Sequence, residues 1–358
     1  MKNLVFFILP LALLTAVLGI LAGLFRIGWN GPLAVSHLAM YHGIFMTGGF
    51  LGTLISLERV VVFKKKIAWA APLLMGLSPP TFLLGEPSAA LILLLTGALG
   101  YLLISISIHL NHNHKGNLFL VIGALFQLLA LGVFYWLYSY PMAMAAWFLS
   151  FLFTIIGERL HLSSFLPVSR RQFWILYIAA GVAVVGTALY HFFSALPAAL
   201  GFAAVALWLL KNDLIKVVYP KRGFYKYLGV SLTAGYVWLL LFALLSALPS
   251  KSPWHYDAVV HSFFAGFILN MILAHGPIIF PAILGVQGKP FHNAMYVALV
   301  LLNLSNLCRI MADMYQIPVV RKWSGLFSGL AFLGFVFVMA VLMLRLRFNF
   351  RVQKNLVS

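Results

Sequence analysis

DAVVHSFFAGFILNMILAHGPIIFPAIL, residues 257–284, is the stretch that decides the fold. After Asp257 it carries no Asp, Glu, Lys or Arg. Its length exceeds the run of about 20 mostly apolar residues that a helix needs to cross a bilayer. It also contains His261, Asn270 and His275, and a membrane tolerates such polar side chains where they face the interior of a helix bundle. The stretch therefore predicts one membrane-spanning helix with a functional face.

The composition of the whole chain is that of a membrane protein. Of its 358 residues 63% are hydrophobic and 8% are charged, and the mean hydropathy is +1.02. A soluble protein carries roughly 25% charged residues. The net charge of +18 would suggest nucleic acid in a soluble protein, but here the Lys and Arg lie between apolar runs, so the expected partner is the lipid bilayer and not nucleic acid. The single cysteine, Cys308, excludes an intramolecular disulfide and any multi-cysteine metal or iron–sulfur site.

Apolar runs along the chain predict an all-α, polytopic membrane bundle of about twelve transmembrane helices. The first run is too long for a signal peptide and lacks a clear cleavage site, so it is interpreted as a spanning helix. No linker or soluble segment is evident, which predicts a single membrane domain, residues 1–358. The division of 173–211 stays open. The predicted spans lie near 4–25, 37–62, 67–85, 88–109, 118–138, 141–157, 173–193, 195–211, 227–248, 257–284, 291–314 and 323–346.

The basic residues predict the orientation of the bundle. With the amino terminus inside, all but five of the 24 Lys and Arg collect on the inner side. The positive-inside rule produces this bias, and an error of one helix would scramble it. Both termini are therefore expected in the cytoplasm. The five outer cations are Arg26, Lys251, Arg309, Arg321 and Lys322.

Two histidines, His42 in the second span and His261 in the tenth, are expected one to two turns below the outer surface. The second span continues from His42 into the small-residue stretch Thr47–Gly52, which would let a neighbouring helix or a flat macrocycle approach the backbone. Two neutral imidazoles on facing helices fit a haem b, and nearby cations fit its propionates. Two readings stay open beside this one, another functional role for the histidines and plain backbone bonding. The cations that would serve are Arg309, Arg321 and Lys322.

A second polar level is predicted at the inner ends of the spans. Glu-Arg pairs end the second and sixth spans, and these two spans and the tenth are spaced by four, which suggests a pseudo-threefold set of four-helix arcs. The Glu-Arg pairs are interpreted as topology anchors, with proton uptake or an inner metal or haem site as the alternative. This inner polar site comprises Glu58, Arg59, His109, Glu158, Arg159 and His275.

A second haem is a weaker hypothesis. His261 and His275 are 14 residues apart, so in an ideal α-helix they share a face about 21 Å apart along the axis, a separation that would suit two stacked haems. The second span has Ser56 where an inner partner for His275 would be expected.

Other motifs carry less. The tract Asn111–Lys115 contains two alternating histidines and is interpreted as a solvated loop rather than a metal site. The spacing of the six acids predicts no pair of carboxylates. Arg309 and Asp313 are four residues apart and are expected to form an ion pair.

The layout resembles subunit I of the haem-copper oxidases and nitric oxide reductases. That resemblance implies a low-spin haem ligated from helices two and ten near the outer face, here His42 and His261, with Arg321 and Lys322 meeting the propionates. The stretches around His42–Arg59 and His261–Pro281 also resemble NnrS-like proteins, a family linked to haem and copper content and to the bacterial nitric oxide response. The resemblance implies a multi-pass protein of the bacterial cytoplasmic (inner) membrane.

The departures from the oxidase pattern limit what the resemblance implies. Oxidases carry copper ligands on helices six and seven, but here those spans hold no histidine before His191. His255 and His275 are poorly placed to serve a second, oxygen-reducing haem. Copper has no clear site, and terminal oxidase activity is not expected.

Three hypotheses follow. The first is a haem b protein of the NnrS-like type that serves electron transfer or the response to nitrosative stress. The second is a cofactor-free, proton-coupled transporter or channel with a helix break at Gly276–Pro277 and Pro281. The third is a quinol-linked cytochrome b component that needs partner subunits.

Overall fold

Helices make up all the regular structure in the part of the chain that the computed structural model describes, residues 2–31, 37–63, 65–190 and 194–357. Within these ranges, eleven helices are long and apolar enough to cross a membrane. The prediction of an all-α, multi-pass membrane fold is confirmed. Lys64 and His191 lie outside the described residues.

Two compact units divide the chain, residues 1–162 and 163–358, and each contains six principal helices among its described residues. The prediction of one domain and that of threefold arcs both stay predictions. The first unit contains α1 Lys2–Arg26, α2 His37–Phe63, α3 Ala70–Leu83, α4 Pro87–Asn111, α5 Lys115–Leu137 and α6 Tyr140–Leu162. The second contains α7 Arg170–Leu189, α8 Leu196–Asn212, α9 Phe224–Ala247, α10 His255–Leu284, α11 Ala294–Tyr315 and α12 Pro318–Val357, with a one-turn helix Ile215–Val218 after α8.

The predicted third span is the shortest principal helix. α3 has 14 residues, about 21 Å of α-helix, and a 3₁₀ turn, Lys66–Trp69, precedes it. It runs back along α2, since Met75 Sδ lies 3.7 Å from Ser56 Oγ and the Phe82 ring lies 4.5 Å from that of Tyr41. α3 therefore runs antiparallel to α2 between Ser56 and Tyr41. Each of the twelve predicted spans has a helix, and α3 is the one that is not among the eleven long and apolar enough to cross a membrane.

The two helices that carry His42 and His261 each contain a seven-residue π segment, Phe45–Leu51 in α2 and Ser262–Ile268 in α10. A π turn is wider than an α turn, and it is often found at functional sites. In α2, the Gln127 side chain donates a hydrogen bond to the Thr47 carbonyl at 3.2 Å, which satisfies a backbone group inside the segment.

A tyrosine secures the turn before the first π segment. The Tyr140 hydroxyl donates to the Met40 carbonyl at 2.9 Å and accepts from the Ile44 N–H at 3.2 Å. The hydroxyl thus bridges a carbonyl and an amide four residues apart that would otherwise bond to each other in an α-helix.

α10 does not break at its prolines. The helix is continuous from Leu269 to Leu284 with Pro277 and Pro281 inside it. The break expected at Gly276–Pro277 is therefore wrong, and the irregular part of α10 lies earlier, at Ser262–Ile268. Proline removes only its own N–H, and a helix inside a bundle can tolerate that loss.

Candidate functional site

His42 packs against α1. Its Nδ1 lies 2.6 Å from the Gly19 carbonyl, and because a carbonyl only accepts, Nδ1 carries the proton. In the neutral ring the lone pair is then on Nε2. Gly23 also faces this ring, since a Cβ added at Gly23 would lie 2.8 Å from His42 Nδ1. An Nδ1–H bonded to a carbonyl is the arrangement that orients metal-ligating histidines.

His261 repeats this arrangement in the second unit, at the residue before the π segment of α10. Its Nδ1 donates to the Asp257 carbonyl at 2.9 Å and lies 3.4 Å from Asp257 Oδ1. The Asn306 side chain donates to the His261 carbonyl at 3.3 Å and so ties this turn to α11. The His261 side chain is 18% exposed, which leaves part of the ring at a surface.

His275 is the third histidine with this orientation. Its Nδ1 donates to the Met271 carbonyl at 2.6 Å, and the residue is buried. The spacing rule that put His261 and His275 on one face applies to an unbroken α-helix. Each residue that the π segment Ser262–Ile268 adds to the turn rotates the later face by about 100°, so the spacing no longer supports a shared face.

Two aspartates and two arginines form a compact ion-pair cluster at the α11–α12 connection. Arg309 donates to Asp257 Oδ2 through Nη2 at 2.7 Å and Nε at 3.1 Å. Arg321 donates to Asp313 at 2.7 Å and lies 3.2 Å from Asp257. Arg309 stays 4.0 Å from Asp313, so the predicted Arg309–Asp313 pair is the weakest contact of the cluster. Two of the three expected propionate cations, Arg309 and Arg321, are thus paired with carboxylates. The third, Lys322, follows Arg321 in α12 and is half-buried.

A polar network lies deeper between α9, α10 and α11. The side chains of Asn270 and Asn303 exchange hydrogen bonds at 3.1 and 3.0 Å, and Trp238 Nε1 donates to Asn303 Oδ1 at 2.6 Å. Sequence reasoning did not include Asn303, Asn306 or Trp238. The signal was present on α11, where Asn303 and Asn306 continue the helical spacing of Arg309.

A second buried carboxylate pair lies in the first unit. Arg59 Nη2 donates to Glu58 Oε1 at 3.3 Å and also to Glu158 Oε1. Side-chain exposure is 7% for Arg59, 22% for Glu58 and 10% for Glu158. The structure thus brings together three residues of the predicted inner polar site, from helices 99 residues apart.

The other members of the predicted inner site are less closely associated. Arg159 is buried beside Glu158 on α6. His109 Nδ1 is buried without a hydrogen-bond partner among the described residues, and His275 belongs to the other unit. Within the described ranges, no group of three or more His, Cys, Asp or Glu is arranged to hold a metal ion.

Comparison with known proteins yields one match. A protein family described as "Domain of unknown function (DUF8744)" matches residues 4–344, nearly the whole chain. No curated protein and no solved structure matches this chain.

Proposed function

The chain belongs to this DUF8744 family, and from its own residues we propose that it is a haem b-binding membrane protein with His42 and His261 as the iron ligands. One observation carries the proposal. Both imidazoles donate through Nδ1 to a backbone carbonyl, which leaves the lone pair on Nε2, and His42 lies three residues and His261 one residue before a π segment. A histidine that binds iron through Nε2 has this tautomer.

The surroundings of His261 favour a strong ligand. The Asp257 carboxylate lies 3.4 Å from His261 Nδ1, and a carboxylate beside the Nδ1–H fixes the tautomer and the orientation of the ring. Arg309 and Arg321 hold that carboxylate in place. They and Lys322 are also the proposed propionate contacts. The NnrS-like type remains a proposal that rests on the sequence stretches around His42 and His261.

A haem held by His42 and His261 would supply one-electron redox chemistry. The proposed role is electron transfer, or the sensing or relief of nitrosative stress. Oxygen reduction is not proposed, because the copper ligands of the oxidases have no counterpart in the sixth and seventh spans. The charge bias of the sequence supports a place in the bacterial cytoplasmic membrane with both termini inside.

Absorption spectroscopy of the purified full-length protein tests the proposal. Expression with added haem should give a Soret band, and the pyridine derivative should identify haem b. His42→Ala and His261→Ala should each abolish or shift that band. His112→Ala is the matched control, because His112 is an exposed loop histidine, and it should leave the spectrum unchanged. Protein that lacks the band, or keeps it in both ligand variants, contradicts the proposal.

A cofactor-free, proton-coupled transporter or channel is the second candidate. The observation that favours it is the pair of arginine-bridged carboxylate clusters, one in each unit, because buried charges at membrane depth mark ion or proton sites. Solute or proton flux in liposomes that contain haem-free protein would select it. Co-purification of a quinol-reactive or cytochrome subunit would instead select a cytochrome b component.

A further inference from the structure

Two carboxylates converge on a single nitrogen atom in the first unit. Glu58, near the end of α2, and Glu158, near the end of α6, both accept from Arg59 Nη2. Since both oxygens lie within hydrogen-bonding reach of one atom, the carboxyl groups are close neighbours. Two carboxylates sharing a site resist being ionised together. We propose that Glu58 and Glu158 form a proton-exchange site, which holds one proton between two carboxyl groups and communicates with water through His161.

The charges around the pair are balanced without this proton. Arg59 and Arg159 each carry a positive charge, and each is next in sequence to one of the two glutamates. The buried Tyr101 of α4 lies within electrostatic range of Arg59 and Glu158.

The remaining titratable groups lie at the ends of the neighbouring helices. Since two arginines and two glutamates balance, a proton taken up by the pair adds one unit of positive charge to a neutral cluster, and its release to water restores neutrality. The groups are His161 at the end of α6, His109 near the end of α4, His114 and Lys115 at the start of α5, and Lys65 and Lys66 before α3.

A pair of stacked histidines lies between this cluster and the exposed loop. His161 lies three residues after Glu158 on α6, and its ring stacks on that of His114, with ring centroids 3.9 Å apart and planes 19° apart. His161 Nε2 donates to Asn117 Oδ1 at 2.8 Å. The Asn117 amide donates to the His112 carbonyl at 2.7 Å, and this bond turns Asn117 Oδ1 toward His161. The His161 proton is therefore on Nε2, and the lone pair on Nδ1 is the position that receives a proton.

The loop Asn111–Lys115 thereby gains a role that its sequence did not indicate. His112 and Asn113 are exposed and His114 is half-buried, so the loop reaches water while His114 contacts His161. Glu58 is the more exposed glutamate of the pair, at 22% against 10% for Glu158. The proposed path runs from water beside the loop to His161 Nδ1, and from there to the carboxyl pair, and every step moves only a proton. The stacked His114 ring holds His161 in place and does not itself pass the proton. The site does not depend on the proposed haem.

Infrared difference spectroscopy of the full-length protein in nanodiscs, titrated with pH and without haem, tests the site. The expected signal is the C=O stretch of one protonated carboxyl group, present in wild type and lost in Glu58→Gln and in Glu158→Gln. Glu86→Gln is the control because Glu86 is exposed, and it should keep the signal. A signal that persists in both glutamate variants, or no signal in wild type, overturns the proposal.

Proton uptake after a rapid pH jump, followed with an indicator dye, tests the path. His161→Phe keeps a stacking ring but cannot carry a proton, and it should slow uptake by about tenfold while the number of protons taken up is unchanged. His292→Phe, at an exposed histidine of the other unit, should be as fast as wild type. Should Glu158→Gln fail to fold, Glu58→Gln, at the more exposed position, still decides the site. Uptake in His161→Phe at the wild-type rate overturns the path.

Discussion

Arg59 donates to both Glu58 and Glu158, and its loss should be costly. Arg59→Leu leaves Glu58 and Glu158 buried without their common donor. Breaking a buried ion pair by removing one partner costs about 3–5 kcal/mol. We expect a clear drop in the apparent unfolding temperature of Arg59→Leu.

A second substitution separates charge from packing at the same place. Adding Glu158→Gln to Arg59→Leu removes one of the stranded charges and should recover part of the lost stability, measured by the same thermal unfolding. If Arg59→Leu is as stable as wild type, the ion pairs do not hold α2 and α6 together.

His114 should make the start of α5 sensitive to acid. Burial, and then the neighbouring Lys115, lower the pKa of His114 below its ordinary value. Its ring caps α5 by accepting from the Gly116 N–H at 3.1 Å, and a protonated ring cannot accept. The folded form therefore binds its proton less readily than the unfolded form does. The stability of this turn is full above about pH 6.5 and is lost as the pH falls below it.

Hydrogen–deuterium exchange, corrected for the intrinsic rate, measures this effect. Amides at the start of α5 should exchange faster at acid pH in wild type. His114→Asn keeps a capping acceptor that does not titrate, so its exchange should not depend on pH in this way. Equal pH dependence in both proteins would rule out His114 as the cause.

At the scale of helices, α7 offers a matched pair of glycines, one that faces α8 and one that does not. A Cβ at Gly186 would lie 2.2 Å from the Ala198 backbone nitrogen, whereas a Cβ at Gly181 on the same helix meets nothing within 4 Å. Gly186→Ala should push the two helices apart at a cost of about 1–3 kcal/mol, the usual penalty of overpacking. Gly181→Ala should be neutral or slightly stabilising, because alanine favours a helix. Thermal unfolding of both variants measures the difference, and equal stabilities would contradict the close approach of α7 to α8.

Helices and their irregularities differ in how far sequence predicts them. The apolar runs predicted a helix for each of the twelve spans, because lipid requires about 20 apolar residues whatever the neighbours are. The π segments escaped prediction, since their backbone is satisfied by distant groups such as Gln127 and Tyr140. The helix break predicted at the prolines of α10 was wrong for the same reason. Whether Pro277 breaks a helix depends on its packing, which spacing in the sequence does not give.

At the scale of the whole molecule, the charge bias predicts which loops face the cytoplasm. In a Cys308→Ser background, Lys251→Cys lies between α9 and α10, on the proposed outer side, and Asn113→Cys lies between α4 and α5, on the proposed inner side. A membrane-impermeant thiol reagent should label the first in intact cells and the second only after permeabilisation. The reverse labelling would invert the proposed orientation.

The sequence singles out the histidines of the proposed site but not the ion pairs. His42 and His261 stand out because polar side chains are rare within apolar runs. The Glu58–Arg59–Glu158 cluster joins helices 99 residues apart, and no local spacing reports that contact. Asp257 was visible as an acid, but its pairing with Arg309 depends on how α10 packs against α11.

The central claim is that His42 and His261 hold a haem b, and the reduced-minus-oxidised absorption spectrum of the purified protein tests it most directly. We predict the spectrum of a six-coordinate haem b in wild type and in His112→Ala, and its loss or shift in His42→Ala and in His261→Ala. A wild-type protein that folds, accepts haem during expression and still shows no haem spectrum would contradict it.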